Sequence, residues 1–121
     1  GTQTMPLVTT ADVDLDVAAS GVIDIDTSSN AVGVALDLET YSSTLTNDGS
    51  IDINATGNAT QAAGIFMGSS GGSEPSGTMS GTIQNNGTIT VTLDTATSTD
   101  ATAYGIAMKD NTSTVTNSGP P

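Results

Sequence analysis

The chain has 121 residues with 13 acidic side chains, a single base and neither Cys nor His, for a formal net charge of −12. That length suits one domain with a modest core, and the lone cation, Lys109, leaves no basic footprint with which to bind nucleic acid or an anionic membrane surface. Without thiols or imidazoles the chain has no disulfide framework, no zinc ligand set and no His or Cys to act as nucleophile or base.

Scarce aliphatic residues and a large net charge also suit a disordered chain, so the case for a fold rests on positional order. In chain order, residues 1–16 are expected to form an N-terminal strand or cap. The opening "GTQTMPLV" has no charged or long apolar segment of a secretory signal, so an exported protein would already have lost that signal. No apolar run approaches the ~20 residues that span a bilayer, so no membrane insertion of this segment is expected. "DVDLDV" places Asp12, Asp14 and Asp16 on one face of a strand.

From there a repeat begins. Gly21, Gly49, Gly87 and Gly119 serve as anchors, 28, 38 and 32 residues apart. Four residues before them sit Val17, Leu45, Ile83 and Val115; two before sit Ala19, Asn47, Asn85 and Asn117. After the first three anchors come the alternating strands "IDI", "IDI" and "ITV", headed by Ile23, Ile51 and Ile89. A second block follows each: "AVGVAL", "AAGIFM" and "AYGIAM", with Gly33, Gly64 and Gly105 aligned ahead of Val34, Ile65 and Ile106. The polar connections vary in length, and "GSSGGSEPSG" at 68–77 is the longest Gly/Ser stretch.

"NDGSIDI" and "NNGTITV" each have the form of a β-hairpin turn. A hairpin, however, does not account for the second block recurring after every anchor, nor for "AASG" at 18–21 holding the place of Asn-Gly. The expected fold is therefore all-β, a parallel β-helix (β-solenoid) of three to four coils with three short strands each. Its repeats span approximately 17–44, 45–82 and 83–114, with 115–121 a partial coil. An antiparallel β-sandwich is the alternative. A single coil cannot close a core, but stacked coils share one. The anchor glycines are expected to meet a positive-φ turn or a close backbone approach. "NSGPP" should stop strand pairing at the C-terminus, since Pro donates no ladder hydrogen bond.

"TNDGSIDI", "QNNGTITV" and "TNSG", with "AAGIFM" and "AYGIAM" between them, resemble the repeats of autotransporter passengers and related bacterial surface β-helix proteins. The resemblance covers most of residues 17–119. It implies a right-handed parallel β-helix, export through a Gram-negative envelope and an adhesive or scaffolding role outside the cell. The chain departs from full passengers in being far shorter and in having no membrane β-barrel segment.

Several features could carry chemistry. Asp12, Asp14, Asp16, Asp24, Asp26 and Asp52 form an acidic ladder that is a candidate weak Ca²⁺ site, although calcium asks for a cage of six to eight oxygens. The plainer reading is a solvated face. Asn47, Asn85 and Asn117 are expected to stack as corner amides. Asn54, Asn58, Asn86 and Asn111 open N-x-Ser/Thr triplets, which a Ser/Thr-rich chain produces by chance. Lys109 beside Asp110 is read as an exposed ion pair. The expected function is a non-enzymatic structural protein, a self-associating segment of a bacterial cell-surface filament or adhesin. Its partner is expected to be itself, end to end or edge to edge. Alternatives are an adhesin fragment binding a surface glycan and, more remotely, a polysaccharide-active enzyme. The last has only repeating Asp pairs to offer where hydrolysis needs two carboxylates in a cleft.

Overall fold

The structure is a computed structural model that describes residues 1–68, 75–94, 101–112 and 114–119, with the Asp110 side chain left out. Most of the Gly/Ser stretch at 68–77, the Asp110 side chain on which the expected ion pair with Lys109 depends, and the closing Pro120–Pro121 therefore lie outside what is described, whereas Lys109 itself is exposed.

The chain winds through four rungs. The first is β1 (Thr2–Gln3), β2 (Leu7–Thr9) and β3 (Leu15–Val17). The second is β4 (Val22–Thr27), β5 (Ala31–Leu36), β6 (Thr40–Tyr41) and β7 (Thr44–Asn47). The third is β8 (Ser50–Thr56), β9 (Gln61–Met67), β10 (Thr78–Met79) and β11 (Thr82–Asn85). The fourth is β12 (Thr88–Asp94), β13 (Thr102–Ala107), β14 (Asp110–Asn111) and β15 (Thr114–Asn117).

Equivalent strands of successive rungs lie side by side and give sheets ordered β1-β4-β8-β12, β2-β5-β9-β13, β3-β7-β11-β15 and β6-β10-β14. Every pairing is parallel. This is the stacked parallel architecture of a β-solenoid. It excludes the antiparallel sandwich, because Asn86-Gly87 joins β11 to β12, which belong to different sheets.

The alternating aliphatic residues explain the stack. Ile23, Ile51 and Ile89 lie directly beside one another, as do Ile25, Ile53 and Val91 on the same face. Val34, Ile65 and Ile106 form a second column, and Leu15, Leu45, Ile83 and Val115 a third. In the middle rungs these side chains are buried and belong to one cluster, and each Ile or Leu withdrawn from water contributes roughly 1.5–3 kcal/mol.

Three details depart from the sequence reading. Each full rung carries a fourth, two-residue strand (β6, β10, β14) in addition to the three expected. Such a strand is too short to show a period.

The register of β3 also differs. Leu15, not Val17, pairs with Leu45, and Val17 lies beside Asn47 in the place assigned to Ala19. A slip of two residues keeps every inward side chain inward, so hydrophobic alternation fits both alignments. The extra length is taken up in the bend at Ala18–Ser20, where the Gly21 amide donates to the Ala18 carbonyl at 2.8 Å.

Finally, β5 and β9 are buried on both sides. Val32, Ala35, Ala63, Phe66 and Ala107 make a second apolar cluster with Tyr104 packed against it, separate from the central core. The alternation slips by one residue at Gly33 and at Gly64. Val34 and Leu36 join the central core, whereas Val32 and Ala35 join the other cluster. A parallel strand covered on both faces shows a near-continuous apolar run, which is what "AVGVAL" and "AAGIFM" present.

Candidate functional site

The corner between the third and first sheets holds two columns of repeated residues. The first column is glycine. A Cβ on Gly49 would lie 2.2 Å from the Gly21 carbonyl oxygen, one on Gly87 1.9 Å from that of Gly49, and one on Gly119 2.0 Å from that of Gly87. Those carbonyls are in use: Gly21 O accepts from the Ser50 amide and Gly49 O from the Thr88 amide, each at 3.0 Å. Among the described residues only Gly57, Gly68 and Gly77 have positive φ. Of the two reasons the sequence left open, close backbone approach is therefore the operative one at Gly49, Gly87 and Gly119, whereas at Gly21 a Cβ would lie no nearer than 3.1 Å, from Ala18 O of its own turn. Gly81 belongs to the same class, with a Cβ position 1.9 Å from Ser43 O, and the sequence reading missed it.

The second column is the amide ladder. Asn47 Nδ2 donates to Asn85 Oδ1 at 2.8 Å, and Asn85 Nδ2 donates to Asn117 Oδ1 at 2.8 Å. Asn47 also donates to the Thr88 carbonyl at 3.1 Å, and its Oδ1 accepts from the Gly49 amide at 3.2 Å. Asn47 and Asn85 are buried, a position tolerable only because their polar atoms are bonded. The ladder has a direction: each amino group points toward the C-terminal end of the stack. At the N-terminal end Val17 takes the column's place. A parallel outer column runs beside it, with Ser118 Oγ donating to Asn86 Oδ1 and Asn86 Nδ2 donating to Asp48 Oδ1.

The six acidic residues do not share one place. Asp12 and Asp14 precede β3 rather than lying on one face of a strand with Asp16, because they bind the corner of the next rung. Asp12 accepts from the Ser42 and Ser43 amides, each at 3.0 Å, and from the Ser42 and Ser43 hydroxyls at 2.5 and 2.7 Å. Asp14 accepts from the Thr44 amide at 2.9 Å. Asp16 lies exposed beside Thr46. Asp24 and Asp52 are neighbours on the first sheet with Thr90 next to them, and Asp26 lies beside Asn54. Among the described residues no three acidic side chains come together as a metal-holding group. Asn30 repeats the role of Asp12 at another corner, its Oδ1 accepting from the Thr60 and Gln61 amides. The partners of both lie about thirty residues away, so no local motif announces them.

The hydroxyls of Ser42 and then Ser43, ahead of their amides, hold the Asp12 carboxyl down to about 2. An unfolded Asp titrates near ~3.9, so the stabilisation from this carboxylate is complete above about pH 4 and fades as the pH falls toward 2. Asp12→Asn should therefore lower the Tm at neutral pH, with the gap to the parent protein closing in acid. A gap independent of pH in thermal melts would show that the serines need no carboxylate charge. Nearby, the fully buried Tyr41 donates from its hydroxyl to the Val13 carbonyl at 2.8 Å. Burial, then the charges of Asp14 and Asp12, push its phenol up to about 12.

The C-terminal end of the stack is unlike the middle. Ile89, Val91, Leu93 and Ile106 are only half-buried, and Val115 is 42 % exposed. An open hollow of about 490 Å³ lies among Ile89, Thr90, Gly105, Ile106 and Asn117. No known family, curated protein or solved structure matches this sequence.

Proposed function

We propose that this chain is a non-enzymatic structural segment of a bacterial cell-surface filament or adhesin, located outside the cell, that associates with itself through its open sheet edges. One observation carries the reading: the recurring residues hold rung to rung. The aliphatic columns, the glycine column, the amide ladder and the Asp12 and Asn30 corners all link one turn of the chain to the next. A rod built from such contacts can be lengthened by repeating them. The likeness of "TNDGSIDI" and "QNNGTITV" to bacterial surface repeats supports the location. The net charge of −12 favours growth along the axis over lateral clumping, because like-charged flanks repel.

The test is the size of the purified chain. Light scattering should give a mass that rises with concentration, and negative-stain images should show rods or fibres. A constant mass of 11.9 kDa at every concentration rejects self-association.

A further inference from the structure

We infer that Asn86 is a modification site. Its side chain cyclises onto the Gly87 amide and loses ammonia when the corner between β11 and β12 lifts from the corner between β7 and β8, and the seated corner holds the same pair inert. The inference is independent of the self-association proposed above, because it concerns one corner within the chain.

The sequence supplies the reactive pair. Of the eight asparagines only Asn86 precedes a glycine. In an open chain the Gly87 nitrogen, after losing its proton, attacks Cγ of Asn86. The bond from Cγ to Nδ2 breaks, ammonia leaves and a succinimide ring remains. Water then opens the ring at either carbonyl and gives Asp or iso-Asp. Glycine favours the attack because it has no side chain to block the approach and its backbone is the freest to turn. At the same place in the neighbouring corners stand Asp48-Gly49 and Ser118-Gly119. An ionised carboxylate is a poor electrophile, and a serine offers no carbonyl at all.

The folded corner ties both reactants. The Gly87 amide donates to the Asn47 carbonyl at 2.8 Å, which keeps the proton on the nitrogen and turns it toward the rung below rather than toward Asn86. The Asn86 side chain is held from three sides. Its Nδ2 donates to Asp48 Oδ1 at 2.8 Å, and its Oδ1 accepts from Gln84 Nε2 at 2.6 Å and from Ser118 Oγ at 2.7 Å. Asn86, Asp48 and Ser118 are all exposed, so water already reaches the site. What the seated corner withholds is the geometry of attack. The bonds to Asn47 and Asp48 last only while the corner is seated, so a local opening frees the nucleophile and loosens the electrophile together.

The product does not fit the corner it came from. An Asp in place of Asn86 sets a carboxylate against that of Asp48 and lacks the hydrogen that bonded the two side chains. Like charges in neighbouring positions of a stack repel. Iso-Asp routes the backbone through the side chain and so adds a methylene just ahead of Gly87. There the Cβ position of Gly87 already lies 1.9 Å from the Gly49 carbonyl oxygen, and the backbone has no slack to take up the extra atom. A chain that opens and reacts therefore recloses less stably, and the modification runs one way.

The test follows the full chain by mass spectrometry during incubation at neutral pH, in buffer and in guanidinium chloride, with peptide mapping to place each conversion of amide to acid. In denaturant Asn86 should convert ahead of every other asparagine. In buffer its conversion should be at least about tenfold slower, in proportion to how rarely the corner opens. Equal rates in the two conditions would overturn the protection by the seated corner, and earlier conversion of another asparagine in denaturant would overturn the assignment to Asn86. Asn86→Asp reproduces one product directly. Its denaturant midpoint should fall below those of the parent and of Asn86→Ser, the residue that position 118 sets in the same column. An Asn86→Asp midpoint equal to the parent's would show that the product reseats, and the one-way step would be lost.

Discussion

Gly87→Ala is expected to destabilise the protein by about 3 kcal/mol or more, with loss of the C-terminal rung at temperatures where the parent is folded. The added methyl would sit 1.9 Å from the Gly49 carbonyl oxygen, with the Gly49 and Asp48 carbonyl carbons 2.9 and 3.0 Å away. All three are backbone atoms, so no side chain can swing aside and the rungs must separate. Separation breaks the hydrogen bond from the Thr88 amide to Gly49 O and disturbs the pairing of β12 with β8 behind it. Overpacking a rigid site costs ~1–3 kcal/mol, and each stranded backbone partner adds ~1 kcal/mol or more. Two controls isolate the cause. A Cβ on Gly21 would lie 3.1 Å from its nearest neighbour, and one on Gly105 would have nothing within 4 Å among the described residues. Chemical unfolding followed by circular dichroism should rank Gly87→Ala far below Gly21→Ala, with Gly105→Ala close to the parent. Equal losses at Gly87 and Gly105 would mean that glycine's chain entropy, rather than the approach of the rungs, sets the cost.

Asn47→Ala is the second large effect, at about 3–5 kcal/mol. Asn47 is 0 % exposed, and its amide serves Asn85 Oδ1, the Thr88 carbonyl and the Gly49 amide. Truncation leaves those three groups without that partner inside the stack, where each costs ~1–3 kcal/mol, and opens a cavity at a fully buried position. Asn117→Ala removes only the terminal acceptor of the same ladder, at an exposed position, and should cost about 1 kcal/mol. Asn47 and Asn85 share a bond, so replacing both with Val should cost less than the two single losses added together. Val17 already occupies this column in the first rung, which shows that an apolar side chain fits there. Denaturant midpoints of the two single variants and the double variant measure the coupling. Strict additivity would show that the buried amides do not act as one ladder.

Both predictions concern residues that recur in the sequence at one place, and that recurrence made them legible. The anchors Gly49 and Gly87, the amides Asn47 and Asn85, and the strand pairs Ile51–Ile53 and Ile89–Val91 repeat with the alternation a strand requires. Parallel stacking superimposes like on like, so the columns could be written down before any coordinates. The polarity of the ladder was not legible, since an amide's two faces are alike in sequence. Nor was the choice at the glycines between a left-handed turn and a close approach, because both call for the same residue.

By itself, the sequence determined that the chain is all-β, that its rungs repeat, and which side chains face the shared interior, because a period of two and a recurring block leave few other packings. Only the tertiary structure decided the two-residue slip of β3, the bonding of Asp12 to Ser42 and Ser43, the apolar cluster around Phe66, and the open space over Gly105. The reason is the same in each case. A slip of two preserves parity, and a contact across some thirty residues of chain leaves no local pattern. Whether a glycine is crowded or free depends on the rung stacked against it.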